Sequence, residues 1–446
     1  MKHIFNLYIS IISLFLIIAC TPNNDTIEKI PPATQSDFQQ AYNNVLEVIK
    51  DINPSKYTIL KENVQTIQPC FYTSNDLLNR YSETSSISIK RTPNRHTIDT
   101  LLYIVNFENN NGFAIMSANK ALFGDMIFAI ADSGSISIDD FSSNFKTHKD
   151  DDYELDSLGT IINLINDYID DYGNIGDLTG LKKNPNTPLP EYPQYSYTFK
   201  YGQWNTTGKI NPRVAIKIGQ RYPYNRYCFT RDGEKAVAGC VAIAITQLMS
   251  ANKYPNTIGD IQVNWDILNA QYRTNSEQQD KLARIIAEIG KECQMEYGID
   301  GFGASILNAK NCLSRYSKYR NLTINSNPEI SDIETMLLNL HPIYIRGEAA
   351  DGTCGHAWTI DGWIIQERNV NVYKDNNLTN SYTENRKLVH CVFGWNGTAD
   401  GYYNYKLFRI NSEGAKLREE NESKYSNTAS GCKDLENNFK IITYNL

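Results

Sequence analysis

The sequence lacks several patterns that would place it in a common functional class. Its 446 residues include nine cysteines but no Cys-x-x-Cys pair, and no regular cysteine spacing predicts a disulfide framework. After the first nineteen residues, no apolar run is long enough to span a bilayer. The formal net charge is -7 and no basic patch could neutralise phosphates, which argues against nucleic acid as a partner.

Metal and nucleotide sites also lack support in the sequence. Cys354-Gly355-His356 and His390-Cys391 could supply zinc ligands, but their spacing matches none of the usual structural zinc sites. The glycine-rich segment 295–305 has neither the glycine spacing nor the preceding strand of a dinucleotide-binding loop. We therefore expect no metal and no cofactor, and we interpret this segment, which ends at Ser305, as a wall of a substrate cleft.

The N-terminus indicates export and a lipid tether. A short basic start is followed by the apolar run 4–19, which is too short for a permanent anchor and reads as a signal peptide over residues 1–19. It ends in Ile17-Ile18-Ala19-Cys20, which resembles a bacterial lipobox, so Cys20 is the predicted lipidation site. Residues 20–35 are polar and proline-containing and are predicted to be a tether. We expect a protein of the bacterial cell envelope, lipid-anchored at the outer membrane or cell surface and released after activation, whose only membrane contact is this lipid.

Residues 36–180 predict a small α+β domain. Segment 36–51 has the pattern of an amphipathic helix, and two apolar runs, 100–107 and 112–118, flank an Asn-rich turn as in a β-hairpin. A further strand is predicted at 127–131 and an acidic helix at 153–171. The histidines of this domain are isolated in polar surroundings, so we expect its role to be other than chemistry.

Residues 181–195 predict a linker. They contain Lys182-Lys183 and four prolines, a composition that favours extended, exposed and protease-sensitive chain. The second domain is therefore predicted to span 196–446.

The second domain is organised around a helix that begins at Cys240. Gly239 permits a tight turn, and residues 241–252 carry no charge, as expected for a helix buried on most sides until Pro255 ends it. A thiol in the first turn faces unpaired backbone N–H groups and the positive end of the helix dipole, which favour thiolate. The alternative from the residues alone is a buried, inert cysteine.

Two polar residues could turn this thiol into a nucleophile. Gln220 could donate a second hydrogen bond to an oxyanion that also faces the Cys240 N–H. His356 opens one of three strands, near 342–347, 355–363 and 387–397, that predict an antiparallel sheet. A helix-borne cysteine packed on a sheet-borne histidine is an arrangement that activates a thiol, with the imidazole holding the thiolate as an ion pair. His341 and His390 are alternative candidates for the histidine that activates the thiol. Both rank below His356, because His341 is predicted to lie at a turn and His390 within a strand.

Five motifs in order then carry a family resemblance. They are Gln220-x-x-Pro223-Tyr224-Asn225, Gly239-Cys240-Val241-Ala242 with Tyr254-Pro255, Tyr297-Gly298, Gly355-His356-Ala357 with Asp361-Gly362, and Gly394-Trp395-x-Gly397-x-x-Asp400-Gly401-Tyr402-Tyr403. Together they resemble the streptopain family of papain-like cysteine peptidases, and segment 100–135 resembles the inhibitory propeptide of those enzymes.

The resemblance implies an α+β fold: a papain-like catalytic domain, with its central Cys helix packed on an antiparallel sheet, preceded by a propeptide domain that inhibits it intramolecularly. It implies Cys240 as nucleophile, His356 as general acid/base and Gln220 as oxyanion donor. The implied activity is that of an endopeptidase acting on proteins or peptides. Its substrates would carry an apolar side chain just before the residue at the cleaved bond. Trp395, Gly394, Gly355 and Ser305 are the predicted substrate-binding residues.

One departure from the family concerns the residue that orients the imidazole. The family usually has Asn-Trp-Gly-Trp where this chain has Val392-Phe393-Gly394-Trp395, so the expected amide is replaced by valine. Asn396 and Asp361 are the nearby polar residues that could substitute for it. Loss of an orienting group lowers turnover, so two alternatives stay open beside the peptidase: a silent lipoprotein that binds protein or peptide on a protease scaffold, and a thiol acyltransferase or amidase.

Overall fold

The structure is a computed structural model, and it describes residues 35–60, 64–72, 99–118, 123–136, positions 161, 162, 164, 165 and 168, and residues 197–297, 303–348, 355–408 and 439–446. The predicted signal peptide, most of the tether including Cys20, the linker 181–195 and most of the predicted helix 153–171 lie outside the described residues. The division into domains accordingly stays a prediction.

Seven α-helices are assigned bounds within the described residues. They are α1 (Gln35–Ile52), α2 (Pro54–Leu60), α3 (Cys240–Asn252), α4 (Trp265–Gln271), α5 (Ser276–Glu292), α6 (Ile306–Ser314) and α7 (Ile330–Leu338). None of these described helices is both long and apolar enough to cross a membrane.

Fourteen strands are assigned in the same part of the chain. They are β1 (Val64–Tyr72), β2 (Asp99–Phe107), β3 (Phe113–Ser117), β4 (Ile127–Ala131), β5 (Tyr197–Tyr201), β6 (Asn205–Ile210), β7 (Thr257–Ile258), β8 (Ile261–Gln262), β9 (Arg320–Asn325), β10 (Ile343–Glu348), β11 (Gly355–Lys374), β12 (Asn377–Val392), β13 (Gly401–Asn404) and β14 (Lys440–Asn445).

Twelve of the described strands form one antiparallel sheet. Ten of them follow the order β1-β2-β3-β4-β13-β12-β11-β10-β14-β9. The long strand β11 pairs with β12 from Thr359 to Lys374, while β10, β6 and β5 occupy successive parts of its other side. Strands β7 and β8 form a separate two-stranded sheet.

The N-terminal unit, residues 35–136, contains the elements that its sequence predicts. Helix α1 buries Val45, Val48 and Ile49 against the β-hairpin β2–β3, whose Tyr103 and Val105 belong to the same apolar cluster. The alternation of apolar and polar residues at helical spacing explains why one face of α1 is buried.

The sheet runs without interruption from the N-terminal unit into the second unit, residues 197–446. Strand β4 pairs with β13 through Ala129↔Tyr403, Ile130↔Tyr402 and Ala131↔Gly401. A Cβ atom at position 401 would lie 2.3 Å from the Ile130 carbonyl oxygen, so the absence of a side chain at Gly401 permits this close pairing. Local sequence patterns do not predict this junction, because it joins strands far apart in the chain.

Helix α3 is the centre of the second unit, and the α+β class with a Cys-bearing helix packed on an antiparallel sheet is confirmed. Residues 241–251 of α3 are all buried, and the Thr359 hydroxyl of β11 donates to the Ala244 carbonyl at 3.1 Å. The predicted strand 387–397 is wrong at both ends. The observed strand β12 begins earlier, at Asn377, and ends earlier, at Val392. It ends there because Gly394 and Gly397 have φ values of +79° and +96°, which a strand does not accommodate.

Candidate active site

Cys240 is the first residue of α3, as the sequence predicts. Gly239 precedes it with φ of 84°, a conformation that glycine adopts without the steric cost of a Cβ atom. The Ala238 N–H donates to the Gln220 carbonyl at 2.8 Å. This bond fixes the segment that contains Gln220 directly beside the turn into α3.

The Cys240 sulfur lies at the junction of α3 and β11. The backbone N–H groups of Ala357, Val241 and Cys240 itself direct hydrogen bonds toward it. Burial raises the pKa of the thiol, and the lowering effects of the Arg346 charge and these N–H groups are smaller. The N–H groups at the helix terminus favour the thiolate, as expected, but the loss of hydration on burial outweighs them.

His356 directly precedes Ala357, whose N–H is directed at the Cys240 sulfur, so the predicted base and the predicted nucleophile both lie at the junction of α3 and β11. The ring is 8% exposed, and its Nε2–H donates to the Phe393 carbonyl oxygen at 2.9 Å. Burial lowers the His356 pKa to about 4, and the Arg346 charge contributes in the same direction. Burial thus disfavours the charged form of each group, the thiolate of Cys240 and the imidazolium of His356.

The hydrogen bond to Phe393 also determines the tautomer of His356. A carbonyl oxygen only accepts, so Nε2 carries the ring proton. Nδ1 then carries the lone pair and is the ring atom that can take a proton from a thiol.

An aromatic stack holds the plane of the imidazole. Trp395 stacks on His356 with centroids 4.6 Å apart, and Trp358 and Phe393 stack at 5.8 and 6.4 Å. Gly394 lets the chain pass close to α3, since a Cβ atom there would lie 2.6 Å from Ile243 Cγ2.

Neither residue proposed from the sequence replaces the missing amide. The Asp361 carboxylate accepts from the Arg213 and Val214 N–H groups at 2.8 and 2.7 Å and contacts His390. Asn396 is exposed and lies against Gly219. The main-chain carbonyl of Phe393 is the acceptor instead, and a backbone group leaves no signature in the sequence.

His390 belongs to a separate buried cluster. Its Nδ1 lies 2.5 Å from Asp361 Oδ1 and its Nε2 lies 3.3 Å from Asp132 Oδ2 of the N-terminal unit. Burial lowers the His390 pKa, but the two carboxylates more than offset this and raise it to about 9. His390 therefore joins the two units. The other competitor, His341, stacks on Tyr444 at 5.4 Å.

The remaining predicted site residues differ in their surroundings. Gly355 pairs with Glu348 at the end of β10, one residue before His356. Ser305 is exposed and caps α6, where its Oγ accepts from the Asn308 N–H at 3.1 Å. Its neighbour Ala304 accepts a hydrogen bond from Arg346, which places this loop near the thiol. The four substrate-binding assignments, Gly355, Ser305, Trp395 and Gly394, stay predictions.

Arg346 is the residue that the sequence analysis missed. It lies on β10 opposite Ala357 and is the cation that lowers the pKa of both Cys240 and His356. An arginine in a strand carries no motif, so only the register of β10 against β11 reveals it. Within the described residues, no group of three or more His, Cys, Asp or Glu side chains could hold a metal ion, and Cys228, Cys240, Cys293, Cys312 and Cys391 are free thiols.

The chain is similar to known cysteine peptidases. Residues 218–403 match the Peptidase C10 family. Streptopain from Streptococcus pyogenes is 23% identical over 238 residues, which make up 46% of this chain and 52% of that protein. The chain thus spans about half the length of the curated relatives it matches. The family match and these relatives confirm the resemblance to the streptopain family that the motifs indicate.

Two solved structures from Prevotella intermedia are also similar to the chain. A prointerpain A fragment is 18% identical, covers 77% of this chain and 95% of its own, and has a TM-score of 0.46. The interpain A cysteine protease is 20% identical, covers 53% and 95%, and has a TM-score of 0.37.

Proposed function

We propose that this chain, in which residues 218–403 match the Peptidase C10 family, is a lipid-anchored cysteine endopeptidase zymogen that hydrolyses peptide bonds in proteins. The observation that carries the proposal is that His356, in the Nε2–H tautomer, directly precedes Ala357, whose N–H is directed at the Cys240 sulfur at the start of α3.

The first chemical step is proton transfer from the Cys240 thiol to Nδ1 of His356. The sulfur then attacks the substrate carbonyl carbon, forming a C–S bond and an oxyanion. The Cys240 N–H and the Gln220 amide are the proposed donors to that oxyanion. The imidazole acts as the general base in this step.

The second part of the cycle returns the proton. The imidazolium gives it to the leaving amine as the C–N bond breaks, which leaves an acyl group on Cys240. Water, deprotonated by the same imidazole, then attacks the thioester and releases the acid and the thiol. The Phe393 carbonyl stabilises the imidazolium by accepting its Nε2–H throughout.

Contacts between the two units support an inhibitory role for residues 36–180. Ser133 Oγ donates to the Gly397 carbonyl at 2.9 Å, and the Asp132 N–H donates to the Asp400 carbonyl at 2.7 Å. Both acceptors lie in the loop that follows Trp395, the residue stacked on the catalytic histidine. We propose that the N-terminal unit holds this loop, and that cutting within 181–195 starts its release.

The cell envelope is the proposed location. The lipobox-like end of the signal, Ile17 to Cys20, supports a lipid anchor at the outer membrane or cell surface, with release of the cut peptidase from it. Extracellular proteins or peptides are the corresponding substrates.

The Phe393 carbonyl also supports a peptidase over a silent binding protein. The replacement of the family's Asn by Val392 is the sequence feature that favours the silent binder. It is weaker evidence for a binder because the Phe393 carbonyl accepts a hydrogen bond from His356 instead.

The proposal is tested with residues 21–446 and a Cys240→Ala variant, incubated with casein and followed by gel. We expect the parent alone to shorten to a fragment of about the second unit and to degrade casein. If the parent does not shorten by itself, and if neither protein degrades casein once trypsin has opened the linker and has been blocked with a trypsin inhibitor, the peptidase proposal is wrong. Labelling of Cys240 by a thiol-reactive peptide analogue without turnover would then favour the binder.

A further inference from the structure

We propose that Asp400 is a positioning residue for His356: its carboxylate fixes the Phe393 main chain, so that the Phe393 carbonyl points at the imidazole. This inference deepens the proposed peptidase function and rests on it. Nothing in the family motif alone assigns this task to the aspartate.

The two polar main-chain groups of Phe393 connect the two side chains. Its N–H donates to Asp400 Oδ1 at 2.9 Å, and its carbonyl oxygen accepts the His356 Nε2–H, also at 2.9 Å. A change in the position of the carboxylate therefore changes the direction of the acceptor that orients the ring.

The loop between these residues has no regular structure to hold it. Gly394, Asn396, Gly397 and Ala399 all have φ between +59° and +96°. Such a backbone forms no strand or helix ladder; turn hydrogen bonds such as that from the Thr398 N–H to the Trp395 carbonyl at 3.0 Å hold the loop, and the Asp400 side chain adds the contact to the Phe393 N–H. Asp400 is 1% exposed and sits at the end of this loop.

The Asp400 carboxylate is also held by a charged partner. Lys217 Nζ lies 3.1 Å from Asp400 Oδ2, and the Asp400 N–H donates to the Gly397 carbonyl at 3.2 Å. These two contacts fix the carboxylate against the Phe393 N–H.

This arrangement explains how the chain dispenses with the usual amide. A side-chain amide in the family position would be held by its own hydrogen bonds. Here Val392 is paired with Thr359 in the sheet, and the neighbouring carbonyl takes the acceptor role. Asp400 is the side chain that holds the N–H of Phe393 in place.

The experiment measures the tautomer of His356 in residues 21–446 labelled with ¹⁵N-histidine, at pH 7, with a His356→Gln variant to assign the signal. The parent should show a single Nε2–H tautomer. Asp400→Ala should show mixed tautomers, and kcat on a fluorogenic peptide should fall on the order of 10- to 100-fold with KM changed less than about twofold. Asp400→Asn keeps an acceptor for the Phe393 N–H and should behave like the parent.

Asp332→Ala is the matched control. Asp332 also accepts a main-chain N–H, that of Glu329 at 2.9 Å, but at the start of α7 away from the site. The proposal is overturned if the parent shows the Nδ1–H tautomer or a mixture, if Asp400→Ala keeps the parent's tautomer and kcat, if Asp400→Asn behaves like Asp400→Ala, or if the control changes the tautomer.

These outcomes separate the positioning role from the peptidase function. The parent spectrum is informative even if Asp400→Ala does not fold. Failure of the parent to cleave any peptide contradicts the proposed function while the tautomer still reports on Asp400. Cleavage by the parent, combined with an unchanged tautomer in Asp400→Ala, contradicts the positioning role alone.

Discussion

Arg368 of β11 and Asp125 of the N-terminal unit form an ion pair of 2.8 Å in which the two side chains are only 5% and 6% exposed. Glu384 binds the same guanidinium at 2.6 Å, and Trp204 stacks on it at 4.5 Å. Removing one partner from a pair this well shielded costs more than breaking a surface pair, because it leaves a buried cation with one partner fewer.

Asp125→Ala should lower the free energy of unfolding of the full chain by about 1–3 kcal/mol. Asp266→Ala, which breaks the exposed Lys253–Asp266 pair, is the control and should cost no more than about 1 kcal/mol. Urea unfolding followed by tryptophan fluorescence measures both. Equal losses in the two variants would show that the buried pair does not stabilise the contact between the units.

The stability of the full chain should depend on pH through His390. Its folded pKa, about 9, is above the usual 6.5, so its contribution is complete below pH 6.5 and is lost as the pH rises through 9. The pKa of Asp361 and of Asp132 is lowered: burial raises it, and His390 more than offsets burial. The two carboxylates therefore stabilise the folded chain above about pH 4, and this stabilisation is lost as the pH falls below that value.

Thermal unfolding between pH 5 and pH 10 measures this dependence. We expect Tm to fall by at least about 3 °C between pH 6.5 and 9, and His390→Gln to remove most of that slope. His341→Gln should leave it unchanged, because burial lowers the His341 pKa and its effect appears on the acid side. An unchanged slope in His390→Gln would mean that other groups cause it.

Replacement of Arg346 should shift the reactivity of the thiol. Its charge lowers the pKa of Cys240, against the larger effect of burial, and lowers that of His356 together with burial. Arg346→Met should therefore move the pH profile of Cys240 alkylation by iodoacetamide to higher pH and slow the reaction severalfold at pH 7. Mass spectrometry of the Cys240 peptide follows the rate. Arg346→Lys keeps the charge, so a shift of equal size in that variant would contradict the electrostatic explanation.

Gly394→Ala should destabilise the second unit more than its φ angle alone requires. The new methyl group would lie 2.6 Å from Ile243 Cγ2 of α3. This overpacking should lower the free energy of unfolding by about 1–3 kcal/mol, in addition to about 1 kcal/mol for a residue with a side chain at a positive φ. Gly233→Ala is the matched control, since Gly233 has φ of 85° and no heavy atom within 4 Å of the added Cβ. Urea midpoints of the two variants should differ clearly; similar midpoints would show that α3 yields to the methyl group.

The local elements of the fold could be predicted from the sequence. Helices α1 and α3 and the strands β2, β3 and β4 follow from contiguous periodic patterns and turn residues, which act over short distances. The pairing of β4 with β13 could not be predicted, because strand register between distant segments depends on the whole packed sheet.

The candidate site shows the same division. Cys240 and His356 carry motifs, and the structure places them at one junction. The Phe393 carbonyl has no side-chain signature, and Arg346 becomes visible only through its register opposite Ala357. Asp361 was a reasonable candidate for orienting the imidazole by its distance in sequence, but its carboxylate is used by His390 and the segment 213–214.

The shared sheet has a consequence for the solubility of a shortened chain. Loss of the residues before 197 would remove β4 and leave β13 as an edge strand, with unpaired N–H and C=O groups open to other molecules. The new edge is only four residues long, Gly401–Asn404, which limits how many hydrogen bonds a second chain could add to it. The shortened chain would therefore expose one short strand edge, and the length of that strand limits how strongly two such chains can associate through it.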